Sequence, residues 1–209
     1  MSNGGVLGRR NVPGVDGFSG VWSLQEIANA RRLGVWPPYD TFDSNTIDQY
    51  VEQTNVSGVW AISGGEMVAT NGSQSVLLRR GPNYADGFVE ADINQAQDAG
   101  LVVRHASSGA YYVLTLSDDS GATPTQNLRL FKNVSGSFTL LGSTADITWV
   151  RGTSKTIRLA AVGDSLSAYV DGALVISATD STFSAPGSVG MRNNGAGVAK
   201  FQALRWGNA

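Results

Sequence analysis

No cysteine occurs in the 209 residues, so disulfides, thiolate metal sites and a thiol nucleophile are excluded. Histidine occurs once, at His105, which leaves no metal site built on several imidazoles and no Ser–His–Asp arrangement with identifiable partners. At the end of a predicted strand, such a histidine reads as a surface residue. Charge is scarce as well: Asp, Glu, Lys and Arg make up 15% of the chain, and 17 acidic against 15 basic side chains leave a net charge of −2. No basic run is longer than the pairs Arg9 and Arg10, Arg31 and Arg32, or Arg79 and Arg80, so the chain lacks the electrostatic footprint of a nucleic-acid-binding protein. An apolar run of about eighteen residues is missing, and so is the shorter apolar core of a signal peptide near the start. Neither membrane insertion nor a visible export route is expected. The Asn-x-Ser triplets at Asn55, Asn71 and Asn133 then read as chance matches in a chain rich in Ser and Asn.

What is present is glycine, 26 residues of it, set between short runs that alternate apolar and polar side chains. Period-two stretches predict strands at residues 59–63, 66–70, 75–79, 87–94, 100–105, 110–117, 127–133, 137–142, 156–162, 165–170, 173–179, 188–192 and 198–206, each bounded by Gly, Asn, Asp, Ser or Pro. Gly64 and Gly65 mark a hairpin turn between the first two, and Asp171 with Gly172 in SLSAYVDGALVIS supplies the positive φ that a type I′ turn requires. So many short strands exceed what one open sheet holds, so the fold class is all-β, a two-sheet antiparallel β-sandwich. Residues 40–56, with Phe42, Ile47, Tyr50 and Val51 among polar neighbours, read as a loosely structured entry into it.

The stretch 19–38, SGVWSLQEIANARRLGVWPP, is of a different kind. Ser23 and Glu26 have the capping-box spacing, Leu24, Ile27 and Ala28 form a narrow apolar stripe, Arg31 and Arg32 suit the helix C-terminus, and Gly34, Pro37 and Pro38 end it. This predicts one short α-helix of about ten residues, too short to stand alone in water and so docked on something. Residues 1–18, with five glycines and one proline, cannot bury enough to fold alone. They read equally as a disordered tail or as an arm that orders on a partner. The division is therefore residues 1–38, an N-terminal arm and helix for attachment and assembly through Trp22, Leu24, Ile27 and Trp36, and residues 39–209, the sandwich.

Two resemblances follow. GVWSLQE at residues 20–26, the short basic helix and GVWP at residues 34–37 resemble a segment of bacteriophage tail-fibre and other virion structural proteins. GFVEADI at residues 87–93, AGLVVR at 99–104, YYVLTL at 111–116, LRLFK at 128–132 and YVDG at 169–172 followed by GSVGM at 187–191 resemble the concanavalin A-like lectin/glucanase jelly roll, which hosts lectins, laminin-G-type modules, glycosidases and structural virion domains. Together they imply a non-enzymatic phage virion protein of tail-fibre or decoration type, assembled in the host cytoplasm with other virion proteins. The alternative is a carbohydrate-binding receptor-recognition module directed at a host surface glycan. Such phage proteins are commonly trimeric, and edge strands with few lysines or prolines would need covering by neighbours, which favours a trimer.

Within that fold, Glu90-x-Asp92 resembles the carboxylate ladder of laminarinase-like glucanases, but Asn94 or Gln95 stands where the ladder's third carboxylate belongs. Val89, Ala91 and Ile93 then face the core, Glu90 and Asp92 face solvent, and no catalytic residue is assigned. For sugar binding, Arg104, Tyr112, Arg129 and Trp149 have strand positions compatible with one sheet face, although Tyr112 shares parity with Leu114 and Leu116 and core packing explains it as well. No cofactor is expected and no metal ligand is assigned. An all-oxygen calcium site is the one metal class left open, through Asp40 and Asp43 or Asp118 and Asp119, residues that more commonly cap turns.

Overall fold

The structure, a computed structural model, describes residues 39–53, 60–70, 75–81, 83–95, 99–118, 125–145, 147–148, 153–194 and 198–209. The predicted helix and its Trp22, Leu24, Ile27 and Trp36 lie outside the described residues, as does Trp149. In chain order the strands are β1 (Tyr39–Asp40), β2 (Tyr50–Gln53), β3 (Trp60–Ser63), β4 (Glu66–Thr70), β5 (Ser75–Arg79) and β6 (Gly87–Gln95). There follow β7 (Ala99–Ser107), β8 (Ala110–Asp118), β9 (Thr125–Val134), β10 (Ser137–Ser143) and β11 (Ile147–Thr148). The last are β12 (Lys155–Val162), β13 (Ser165–Val170), β14 (Ala173–Thr179), β15 (Ser188–Asn193) and β16 (Val198–Asn208).

They form two eight-stranded antiparallel sheets. Sheet A runs β14-β13-β12-β6-β16-β4-β3 with β1 beside β16; sheet B runs β10-β9-β8-β7-β15-β5-β2 with β11 beside β9. The chain crosses repeatedly between them, so β16 closes sheet A against β6 and β15 closes sheet B between β5 and β7. Alternation explains the facing. In β6 Val89, Ala91 and Ile93 are at most 1% exposed while Glu90 and Asp92 point out, and in β13 Leu166, Ala168 and Val170 are buried between Ser165, Ser167 and Tyr169. Side chains such as Met67, Leu101, Leu114, Leu128, Leu130 and Phe201 interdigitate between the sheets. The Asp171 and Gly172 turn between β13 and β14 has φ 49° and 81°, as its type requires.

Residues 40–53 are more ordered than their sequence suggests. Asp40 accepts from the Phe42 N–H (2.9 Å), the Thr46 hydroxyl (2.6 Å) and the Tyr50 hydroxyl (3.0 Å), which folds Phe42 into the core at 1% exposure. Arg79, on the inward face of β5, lies 4.8 Å from the Trp206 ring and 5.5 Å from the Tyr50 ring, and donates to the Gln49 and Arg80 carbonyls and the Gln49 side chain. Long-range bonds of this kind carry no local sequence signature.

The flank where β10 and β14 meet answers the question of edges. Neither strand contains a charged residue or proline, but each carries a bulge, at Leu141 in β10 and Val175 in β14. Leu141 and Val175 thereby pack against the core, and a Cβ on Gly142 would come 2.7 Å from Ile176 Cγ2. A bulged edge is a poor template for another strand, so these edges are blunted by backbone shape and not by charge.

Candidate functional site

The two outer sheet faces differ in chemistry. Across sheet A, cross-strand register lines up Tyr39, Arg205, Glu90, Arg158, Tyr169 and Leu174. Arg205 forks onto Glu90 (3.3 Å) and Asp92 (2.8 Å), the Thr156 hydroxyl donates to Asp92 (2.6 Å), and Arg158 lies 3.8 Å from the Phe88 ring centre. Burial alone would raise the Asp92 carboxyl, but the hydrogen bonds from Arg205 and Thr156 outweigh it and hold the pKa below the usual carboxylate range. A glycosidase acid needs the opposite shift. Asn94 donates to Glu66 (3.1 Å) and offers no third carboxylate. This face is a set of mutually satisfied charges on a wet surface.

One end of the sandwich is held by two of the residues considered for sugar binding. Arg104 has φ 51° at a register shift in β7, and its guanidinium, 2% exposed, donates to the carbonyls of Ala85 (2.6 Å), Phe183 (2.8 Å) and Gly163 (2.6 Å). Tyr112 is fully buried; its hydroxyl donates to Asp180 Oδ1 (2.8 Å) and accepts from the Phe183 N–H (3.1 Å). Lys132 completes the cluster with a 2.6 Å bond to the other Asp180 oxygen. Arg104 and Tyr112 therefore pin the loop 180–187 to the sandwich, and their polar groups are engaged inside it. Burial pushes the Tyr112 hydroxyl up to about 12.

Asp180 gives this clamp a pH dependence. Burial raises its pKa, but bonds from Lys132, Thr182 and Tyr112 outweigh this and hold the carboxyl well below the usual range. A depressed folded pKa contributes stability that is present above the unfolded value of about 3.9 and is lost as pH falls towards the folded one. In urea titrations between pH 7 and pH 3, Asp180→Asn is expected to start less stable than the parent and to lose less on acidification. Equal pH slopes would contradict the assignment.

Sheet B carries the other surface. Its outward residues form a second apolar cluster, separate from the core: Val76, Leu78, Val102, Tyr111 and Val113, with Phe131 and Phe138 partly buried against it. Register sorts the face into rows. One runs Leu140, Phe131, Val113, Val102, Gly190, Leu78 and Val51; the next Ser143, Arg129, Thr115, Gly100, Arg192 and Val76. A third holds Phe138, Asn133 and Tyr111, with His105 stacked on Tyr111 at 5.0 Å. Gly100 matters here. A Cβ on it would meet the Leu114 carbonyl at 2.7 Å and Arg192 Cβ at 3.6 Å; without one, the Arg192 side chain reaches along the sheet to lie 5.1 Å from the Phe138 ring. Arg192 also donates to Asn194 (2.9 Å), and Arg129 is exposed. The partly exposed rings of Phe131 and Phe138 can stack on sugar faces, and the exposed Arg129 can fork onto their oxygens.

Of the four residues considered for a sugar surface, then, Arg129 lies on this face, Tyr112 points through the same sheet into the core, and Arg104 belongs to the end clamp. Tyr111, Phe131, Phe138 and Arg192 are not expected on this face from the sequence; for Tyr111 the reason is that β8 is apolar towards both sides and alternation does not say which side is out. His105 is likewise not a surface residue: it is 5% exposed, and burial lowers its pKa. Among the described residues no group of three His, Asp or Glu could hold a metal ion. Asp40 caps its turn, the Asp43 carboxylate accepts from Thr41 (2.7 Å), and Asp119 lies outside the described residues.

No family model and no curated protein matches the chain. Solved structures do. The carbohydrate-binding module CBM66 from Bacillus subtilis is similar with a TM-score of 0.63 and 20% identity over 77% of this chain and 96% of that one. The β-glucanase of Bacillus licheniformis is similar at 0.59 and 14% over 82% and 97%. The GH43 protein BlXynB of the same organism reaches 0.64 and 17%, over 83% of this chain but only 40% of its own length. The exoplasmic/lumenal domain of VIP36, in a Ca2+- and mannose-bound form, reaches 0.57 and 10% over 83% and 88%. At these identities the likeness is one of fold: two interleaved antiparallel sheets in the concanavalin A-like jelly roll of lectins and glucanases.

Proposed function

We propose that this chain is a non-enzymatic phage virion protein whose residues 39–209 bind carbohydrate through the outer face of sheet B and whose residues 1–38 attach it to the particle. The observation that carries the sugar-binding part is the outer face of sheet B, where the partly exposed rings of Phe131 and Phe138 lie over Tyr111 and the exposed Arg129 stands two residues before Phe131, with no carboxylate pair among the described residues of that face. That similar folds include a carbohydrate-binding module and a mannose-bound lumenal domain supports it. The virion part rests on the phage-like segment at residues 20–37. A glycan array probed with the full chain tests the first part: retention of a defined set of glycans is expected, and a blank array would leave only a displayed structural domain.

Glu90→Gln is expected to leave sugar turnover unchanged, because Glu90 and Asp92 are tied to Arg205 of the neighbouring strand on the outer face of sheet A, away from the proposed sugar face. A reducing-end assay in which the parent releases sugar and the variant does not would make the chain a hydrolase.

Removing residues 1–38 is expected to leave a folded sandwich that no longer joins the particle, and normal incorporation would contradict the attachment role. One edge of each sheet, β10 and β14, is blunted, and the proposed trimer contact is placed in this N-terminal segment. Light scattering is expected to give three chains for the full protein. A one-chain mass would remove self-association.

A further inference from the structure

The single histidine lies where plain alternation would not put it. In β7 Leu101 and Val103 face the core and Val102 faces outward, so His105 should turn inward. The register shift after Val103 and the φ of 51° at Arg104 reverse this. The imidazole lands on the outside of sheet B, stacked on Tyr111 with ring centres 5.0 Å apart and planes inclined by 16°. It is 5% exposed there, and its Nε2 has no hydrogen-bond partner. The groups around it come from four other strands. Tyr111 of β8 is the ring it stacks on; Asn133 of β9 and Phe138 of β10 share the row; Ser188 of β15 stands opposite in register and donates to Asn83. The Asn133 amide is committed to the Ser108 carbonyl and the Gly136 N–H. Of the charged groups, Arg104 turns to the carbonyls of the end clamp, Asp86 is engaged by Arg104 and the Gly163 N–H, and Arg192 lies against Phe138 as a further cation.

A neutral imidazole is accommodated in this place. A proton on Nε2 would make a buried donor on a charged ring, with nothing to donate to. The face of Tyr111 attracts a cation, but by less than the hydration that a buried imidazolium forgoes. Burial accordingly lowers the His105 pKa, and a bond to its own backbone raises it by less. Once charged, the ring has to move towards water. Tyr111, 2% exposed, then loses the ring that covers it, and Phe138, which meets Tyr111 at 6.4 Å and Phe131 at 6.3 Å, passes the loss along the cluster.

We infer that His105 is an acid switch for the outer face of sheet B: neutral, it holds Tyr111 in the aromatic cluster, and protonated, it leaves the stack and the cluster loosens. The switch is a property of the free chain. Its consequence, release of a bound glycan in acid, rests on the sugar-binding reading above.

A depressed folded pKa leaves stability intact above the unfolded value of about 6.5 and removes it as pH falls towards the folded one. Because the unfolded chain takes up one proton that the folded chain refuses, the ratio of folded to unfolded chain should drop by up to about tenfold per pH unit in that window. Isotope-labelled histidine in the full-length chain gives one imidazole to follow by magnetic resonance. Its midpoint is expected below about 6.5, with the ring signals of Tyr111 and Phe138 moving along the same curve. In urea titrations from about pH 7 to about pH 5, above the range in which Asp180 titrates, the parent should show the loss. His105→Phe, which keeps a ring on Tyr111 but takes no proton, should lose little. A midpoint at or above about 6.5 would overturn the inference, and so would a lower midpoint with Tyr111 and Phe138 unmoved. Equal acid slopes in parent and variant would overturn it as well. The ring titration needs no variant, so if His105→Phe failed to fold the first two results would decide. None of these outcomes bears on whether sheet B binds sugar, which the glycan array at neutral pH decides separately.

Discussion

Replacing Arg104 by methionine is expected to lower the unfolding free energy by about 3–5 kcal/mol, the largest single-residue effect in the domain. The guanidinium is 2% exposed and donates to three backbone carbonyls, of Ala85, Gly163 and Phe183, from segments far apart in the chain. Methionine keeps much of the volume, so packing changes little. What is lost is the donor of each carbonyl, and a buried acceptor left without one costs about 1–3 kcal/mol. The contact with Asp86 adds little, because that carboxylate is 56% exposed and 3.5 Å away. Lysine is no remedy: one ammonium on a flexible stem cannot span three carbonyls that a planar fork reaches together. Guanidinium chloride unfolding of the parent, Arg104→Met and Arg104→Lys measures this. A loss below about 1 kcal/mol in both would mean that water satisfies the carbonyls and that the clamp is not what holds the loop.

The second large effect concerns binding. Phe131→Leu together with Phe138→Leu is expected to weaken glycan binding by about ten- to a hundredfold, since each aromatic contact contributes roughly 0.5–1.5 kcal/mol beyond its buried area. Leucine keeps apolar cover over Val102 and Val113, both fully buried beneath, so the fold should survive. Phe131 and Phe138 meet edge to face at 6.3 Å, and Phe138 meets Tyr111 at 6.4 Å, so the rings form one connected surface. The double variant compared with the parent by calorimetric titration, with circular dichroism as the folding control, tests this. Unchanged affinity would place the sugar elsewhere.

Particular strands show how far the residues alone could be read. β6 and β13 are legible because one side is wet: Glu90 and Asp92, or Ser165 and Ser167, interrupt the apolar residues at every second position. β8 is legible as a strand but not as to its facing, since Tyr111 and Val113 on one side and Tyr112 and Leu114 on the other are all at most 2% exposed. Tyr112 therefore passes for a surface aromatic as easily as Tyr111 does. Arg104 misleads for another reason. Its φ of 51° turns the side chain out of the strand alternation, and only the folded chain brings Ala85, Gly163 and Phe183 within its reach. The order around Asp40 and Tyr50 is invisible in the same way, being built from bonds between a turn, a strand and Arg79. The sandwich as a whole is legible because turn residues and alternation agree along most of its length.

Mapping the bound glycan onto the amide spectrum of the isotope-labelled full chain tests the central claim most directly. Titration with a glycan retained on the array is expected to shift Tyr111, Thr115, Arg129, Phe131 and Phe138, all on the outside of sheet B, while Glu90, Asp92, Arg158 and Arg205 on sheet A stay in place. Shifts gathered on the sheet A residues, with none on sheet B, would contradict it.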